Sequence, residues 1–204
     1  NSFSAFFVVV FFAVVFFVVF LAVVFFGFSS PSAFFFVTQV LKERLSYYAY
    51  TELDSAVEKQ GGTSRKHVRE LFRITNYLHP TNCIAIESDI AGLAMKAARP
   101  SAPCHTLKET ETEKFRRYLE KYDKIGILYI GDTTYRNIIL ETALPYTNNN
   151  SAIIVEGIHK SKETSLWWQS IVDNPTAIVT YDMQSYGILF FDKEKKKQHY
   201  KLKR

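Results

Sequence analysis

The sequence predicts an α/β fold, an open and mainly parallel sheet that closes in an antiparallel hairpin and follows an N-terminal hydrophobic helix. Three observations carry that expectation. Short β-branched apolar runs, Ile125–Ile130 and Ala152–Val155, alternate with amphipathic helical stretches, the pattern of buried parallel strands joined by helices. Each run ends in a carboxylate beside a glycine, Gly131-Asp132 and Glu156-Gly157. Ligands of open parallel sheets sit beyond the carboxyl ends of the strands, so these acids mark the rim. The third observation is an opening tract, 1–41, without one charged side chain.

The tract at 1–28 is rich in Phe and Val and exceeds the roughly 20 apolar residues that cross a bilayer. As a transmembrane helix, its following cations Lys42 and Arg44 place the remaining chain in the cytoplasm, beneath an inner membrane. A secretory signal fits poorly, because a charged leading segment is missing and the apolar segment is too long. A third reading is a low-complexity nucleotide repeat translated in frame, and a start at Asn1 suits a fragment. Without a genuine anchor the chain is expected in the cytoplasm. Residues 29–63 read as a helical extension and linker, and 64–204 as the α/β domain.

Within the extension, Thr38 is the expected N-cap of a helix reaching Tyr50, with Val40, Leu41, Leu45 and Tyr48 on one face. Ser64 caps an amphipathic helix that buries Val68, Leu71, Phe72, Thr75 and Leu78. Arg65, Lys66, Arg69 and Arg73 flank it as a solvated face. His79-Pro80 ends it, since a residue before proline avoids the α region. Cys83–Ile86 is a short strand and Ile90–Ala98 a helix, and Cys104–Leu107 a second strand. Two cysteines make neither a disulfide framework nor a metal motif, and Cys83 reads as buried.

Glu111–Tyr122 is helical, with Phe115, Tyr118, Leu119 and Tyr122 inward. Thr133 or Thr134 opens a further helix that buries Tyr135, Ile138, Ile139 and Thr142. Ser161 caps a helix with Leu166, Trp167, Ser170 and Ile171 inward, so Trp167 is expected in the core and Trp168 partly exposed. Ala177–Tyr181 and Ile188–Phe191 form an antiparallel pair at a sheet edge. The net charge of +5 is concentrated in Lys193–Arg204, which reads as a solvated tail or a site for anionic surfaces. No specific nucleic-acid motif is present. Nor does any Ser/His/Asp order, zinc spacing or phosphate loop stand out.

Four segments carry a family resemblance. Ser29-Ser30-Pro31-Ser32-Ala33-Phe34 resembles an HSPFxF start, and Glu70–Pro80 resembles LLFRLxNYFxP. Glu156–Thr164 with a following Trp is similar to DDIHxSxEM…W. Thr180–Met183, Gly187, Phe190-Phe191 and Lys197–Tyr200 are similar to TxDLxxxGxxFFxxxxxKQHF. Together they resemble a bacterial subgroup of class I S-adenosylmethionine-dependent methyltransferases, over Ser29 to the C-terminus. The resemblance implies a Rossmann-like sheet whose last strand runs antiparallel to the others. It implies S-adenosylmethionine as cofactor, with Glu87, Ser88, Asp89, Asp132 and Glu156 around it, His159 as a base, and a small-molecule or macromolecular substrate.

The departures from that family are equally specific. Its first loop is ExGxxxG, whereas Ala85, Glu87 and Ala91 stand at the three fixed positions here. Side chains there obstruct the close backbone approach that glycine permits, and Glu87 can fill the space. The acid expected after the second strand is lost or shifted to Glu109. The segment up to Ile125 has room for one helix, so the family's third strand is expected to be missing. The sequence therefore reads as a methyltransferase-like protein with a degenerate cofactor loop. The alternative is a non-enzymatic binding module on that scaffold, held at a membrane by 1–28.

Overall fold

The structure, a computed structural model, describes residues 30–202. They fall into two compact units that divide between Ser46 and Tyr47. The expected hydrophobic helix at 1–28 lies outside the described residues. Among those described, no helix is long and apolar enough to cross a membrane.

The first unit holds α1 (Pro31–Phe35), which continues as a wider π-helical turn over Phe36–Leu41. Pro31 suits the first helical position, where its missing N–H is no loss. Thr38 is not an N-cap. It lies inside this helical run and its hydroxyl donates to the Phe34 carbonyl at 2.8 Å. The expected helix to Tyr50 is absent, and Leu45 and Tyr48 are exposed.

The second unit opens with α2 (Tyr50–Gln60) and α3 (Arg65–Leu78). Ser64 caps α3 by accepting the His67 amide. His79 ends it in a left-handed conformation, an outcome consistent with the α region being closed to a residue before proline. Arg73 departs from the expected solvated face. It is buried, and its guanidinium donates to the Tyr50 hydroxyl at 3.0 Å.

Next come β1 (Cys83–Ile86), α4 (Asp89–Ala98), β2 (Cys104–Leu107), α5 (Thr112–Tyr122) and β3 (Ile127–Ile130). The chain continues with α6 (Arg136–Ala143), β4 (Ala152–Glu156), α7 (Lys162–Asp173), β5 (Val179–Asp182), β6 (Tyr186–Phe190) and β7 (Gln198–Lys201). The seven strands form one sheet in the order β2-β1-β3-β4-β6-β5-β7. β2, β1, β3 and β4 are mutually parallel, and β6 runs antiparallel to both β4 and β5. Only α5 separates β2 from β3, as the short segment there requires.

Two expectations about this end of the sheet need correction. The hairpin is interior, because β6 lies between β4 and β5. The basic tail is not simply solvated, because Gln198–Lys201 pairs parallel to β5 and forms the sheet edge. Its polar sequence, with only Tyr200 buried, suits an edge strand with one open side.

Strand alternation splits the core between two faces. One face carries Ile84, Ile86, Leu128, Ile130, Ile153, Val155 and Leu189 against α5, α6 and α7. The other carries the register row Ala85, Tyr129, Ile154 and Ile188. There α3 brings His67 to Tyr129. Cys83 is fully buried, as expected.

Helix phase decides two further corrections. α6 begins at Arg136 and buries Arg136, Ile139, Leu140 and Ala143, leaving Tyr135 and Ile138 exposed. α7 follows a Ser161–Thr164 capping box and buries Trp168, Ile171 and Val172. Trp168, not Trp167, is therefore the core tryptophan. It lies over Gly187, where an added Cβ would come within 2.3 Å of the indole ring. Trp167 is half-buried and donates its Nε1 hydrogen to Asn137 Oδ1 at 2.9 Å, while Leu166 is exposed.

Candidate functional site

The carboxyl ends of β1, β2, β3 and β4 collect Glu87, Ser88, Asp89, Glu109, Asp132, Thr133 and Glu156 along one rim. Glu87 follows β1 with φ +57°. An L residue in that left-handed region costs about 1–2 kcal/mol, which glycine avoids. Its carbonyl passes close to Gly131, where a Cβ would sit 2.7 Å from the Glu87 oxygen. Its carboxylate accepts the Glu109 amide at 2.6 Å, across the end of β2. Glu109 in turn accepts the Thr133 hydroxyl, at the end of β3. Thr133 is buried, and its Oγ1 also accepts the Tyr135 amide at 3.0 Å. Side chains of this chain thus tie three strand ends together across the rim.

Ser88 is occupied locally, since its Oγ accepts the Ala91 amide at the start of α4. Asp89 lies in the first turn of α4 and pairs with Lys108 at 3.7 Å, both side chains well exposed. An acid there complements the positive end of the helix. Asp132 is held by two cations. Lys160 Nζ donates to one oxygen, and Arg136 Nη2 to the other at 2.9 Å. The Lys160 hydrogen bond, opposed by burial and helped by Arg136, holds the Asp132 carboxyl below its usual range. Arg136 is itself buried and donates to the carbonyls of Thr133 and Gly157.

Glu156 belongs to a second, deeper group. It accepts the Tyr129 hydroxyl at 3.0 Å, and that oxygen lies 2.8 Å from His67 Nε2. Burial pushes the Glu156 carboxyl up, against the hydrogen bond from Tyr129. Burial likewise pushes the Tyr129 phenol well up, reinforced by the Glu156 charge. Beside them Tyr186 donates to Glu70 at 2.8 Å, and its ring meets the His67 ring edge-on at 4.4 Å.

His159 stands apart from Glu156. Its Nε2 lies 2.7 Å from Asp182 Oδ2 and its Nδ1 lies 3.1 Å from Ser165 Oγ. A Ser, a His and an Asp therefore do meet, although nothing in their order along the chain announces it. Asp182 could have been found by the signal that marked Glu156, an acid closing an apolar strand. The Thr133–Glu109 tie and the His67–Tyr129–Glu156 chain join distant segments and have no local signature.

No family model matches the chain, and no curated protein matches it. Solved structures do. An SAH-bound methyltransferase from Podospora anserina aligns over 80% of this chain and 97% of its own, with TM-score 0.50 and 10% identity. A protein from Staphylococcus aureus, assigned as a caffeoyl-CoA O-methyltransferase, aligns over 71% and 93% with TM-score 0.52 and 11% identity. Identity this low speaks for the fold alone. The chain has the α/β fold of these methyltransferases.

Proposed function

We propose that this chain is a methyltransferase-fold protein whose cofactor cradle is closed by its own carboxylates, and that it acts as a binding module without methyl transfer. S-adenosylmethionine is the cofactor this fold implies, the Podospora neighbour being SAH-bound. The residues at the rim do not fit that group as they stand. A nucleoside cofactor needs a cradle free of side chains after β1, where the backbone can approach it, and a free acid after β2 for its ribose hydroxyls. Here the Glu87 carboxylate crosses from the first place to the second, and Glu109 is tied to Thr133. That bridge is the observation on which the reading rests.

In this reading the tract 1–28 holds the module at a bilayer, supported by its length and its lack of charge. The partner is a small molecule or a macromolecule recognised elsewhere on the domain. Isothermal titration of the full chain in detergent micelles with S-adenosylmethionine tests the closed cradle. Absence of binding at millimolar ligand is expected, and micromolar binding would overturn the reading. Removal of residues 1–28 is expected to move the protein out of the membrane fraction. An unchanged distribution would remove the anchor.

A further inference from the structure

At the far side of the rim, three side chains that take no part in the bridge stand in hydrogen-bond sequence. Asp182 closes β5, with its side chain only 6% exposed. Its Oδ1 accepts the Gln184 amide at 3.0 Å, and its Oδ2 faces His159 Nε2 at 2.7 Å. A buried carboxylate held in this way fixes the ring and draws the Nε2 hydrogen toward itself. The Nδ1 lone pair is then left facing Ser165 Oγ at 3.1 Å. His159 is 39% exposed and Ser165 half-buried, so both can be reached from solvent.

We propose that Ser165, His159 and Asp182 form a nucleophile, base and orienting acid that cleave small acyl esters. The relation is the general one for an activated hydroxyl: nucleophile in reach of the base, and base aligned by a third group. The Ser165 hydroxyl also lies 2.9 Å from the Ser161 carbonyl. Rotation of the O–H bond alone, with no heavy atom moved, redirects its hydrogen to His159. Helix α7 begins at Lys162, three residues before Ser165, and the amides of Lys162 and Glu163 have no preceding turn to bond to.

In the first step Ser165 Oγ bonds to the acyl carbon as its proton passes to His159 Nδ1. The bond to the alkoxy oxygen breaks, and the alcohol departs with that proton. Water then gives its proton to His159 and attacks the acyl-serine. A carboxylic acid leaves and the hydroxyl is restored. No oxidant, metal or cofactor enters the balance, and the activity does not depend on the state of the cradle.

The test is reaction of the full chain in detergent micelles with a fluorophosphonate probe, which forms an Oγ–P bond and releases fluoride. The modified residue is read by peptide mass spectrometry. Wild type is expected to be modified at Ser165, and Ser165→Ala not to be. His159→Gln, at an exposed position whose folding is checked by circular dichroism, is expected to react about a hundred-fold more slowly. Hydrolysis of p-nitrophenyl acetate should fall in parallel. An unmodified Ser165 under conditions that label a serine esterase, or an unchanged rate in His159→Gln, would overturn the proposal.

Discussion

The two halves of the rim are built from the same device, an acid at or just beyond the end of a strand, yet they use it differently. On the side of β1, β2 and β3, the acids turn toward the chain itself, Glu87 to the Glu109 amide and Glu109 to Thr133. On the side of β4 and β5, Glu156 and Asp182 each orient a polar side chain, Tyr129 and His159. A carboxylate at a strand end is therefore not by itself a ligand site. What differs is the group held, a neighbouring strand end in the first half and an aromatic or imidazole side chain in the second.

Substitutions act differently on the two halves, and the largest effect is expected at the support of the second half. Trp168 anchors α7, the helix that carries Ser165, over Gly187. Trp168→Ala should cost about 3–5 kcal/mol in chemical denaturation. A loss under about 1 kcal/mol would mean that α7 is not held from beneath.

The next effect concerns the first half. Glu87→Gly removes both the left-handed strain and the bridging carboxylate. It should leave stability within about 1 kcal/mol of wild type, one lost hydrogen bond offsetting the relieved backbone. Binding of S-adenosylmethionine, absent in wild type at millimolar ligand, should become measurable in the same titration, a gain of about ten-fold or more in affinity, which is about 1.4 kcal/mol. Unchanged affinity would show that Glu87 is not what closes the cradle.

Two carboxyls separate the halves by pH. Glu156 has its carboxyl raised by burial, so the protonated form is favoured in the folded state. That contribution is present in acid and is lost as pH rises through the folded value. Glu156→Gln should therefore be more stable than wild type at neutral pH, and the gap should close on acidification. Asp132 has the opposite sign, its carboxyl being lowered chiefly by Lys160. Its contribution is present above the ordinary carboxylate value and lost as pH falls through the folded one. The pair with Lys160 is largely exposed, so Asp132→Asn should cost no more than about 1 kcal/mol at neutral pH, and nothing in strong acid. Denaturant melts across the acid range check both.

Much of the sheet was legible because buried parallel strands are written as continuous apolar runs. Cys83–Ile86 and Ala152–Val155 could hardly be anything else once flanked by turns. β7 was not legible, since Gln198–Lys201 is polar and owes its pairing to β5 rather than to its own composition. The phase of α7 was ambiguous because adjacent tryptophans satisfy the same helical period. Gly187, from a strand later in the chain, settles which one goes inward. At the rim, the place of Glu87 in the first loop came from the family resemblance. Its partner was not legible, because the Glu109 amide reaches it only through the pairing of β1 with β2.

The closure itself is tested most directly at that amide. Hydrogen exchange at Glu109 should be slow in the wild-type chain, faster in Glu87→Ala, and unchanged in wild type by millimolar SAH. A Glu109 amide that exchanges freely, or one that slows when SAH is added, would contradict a cradle closed by Glu87.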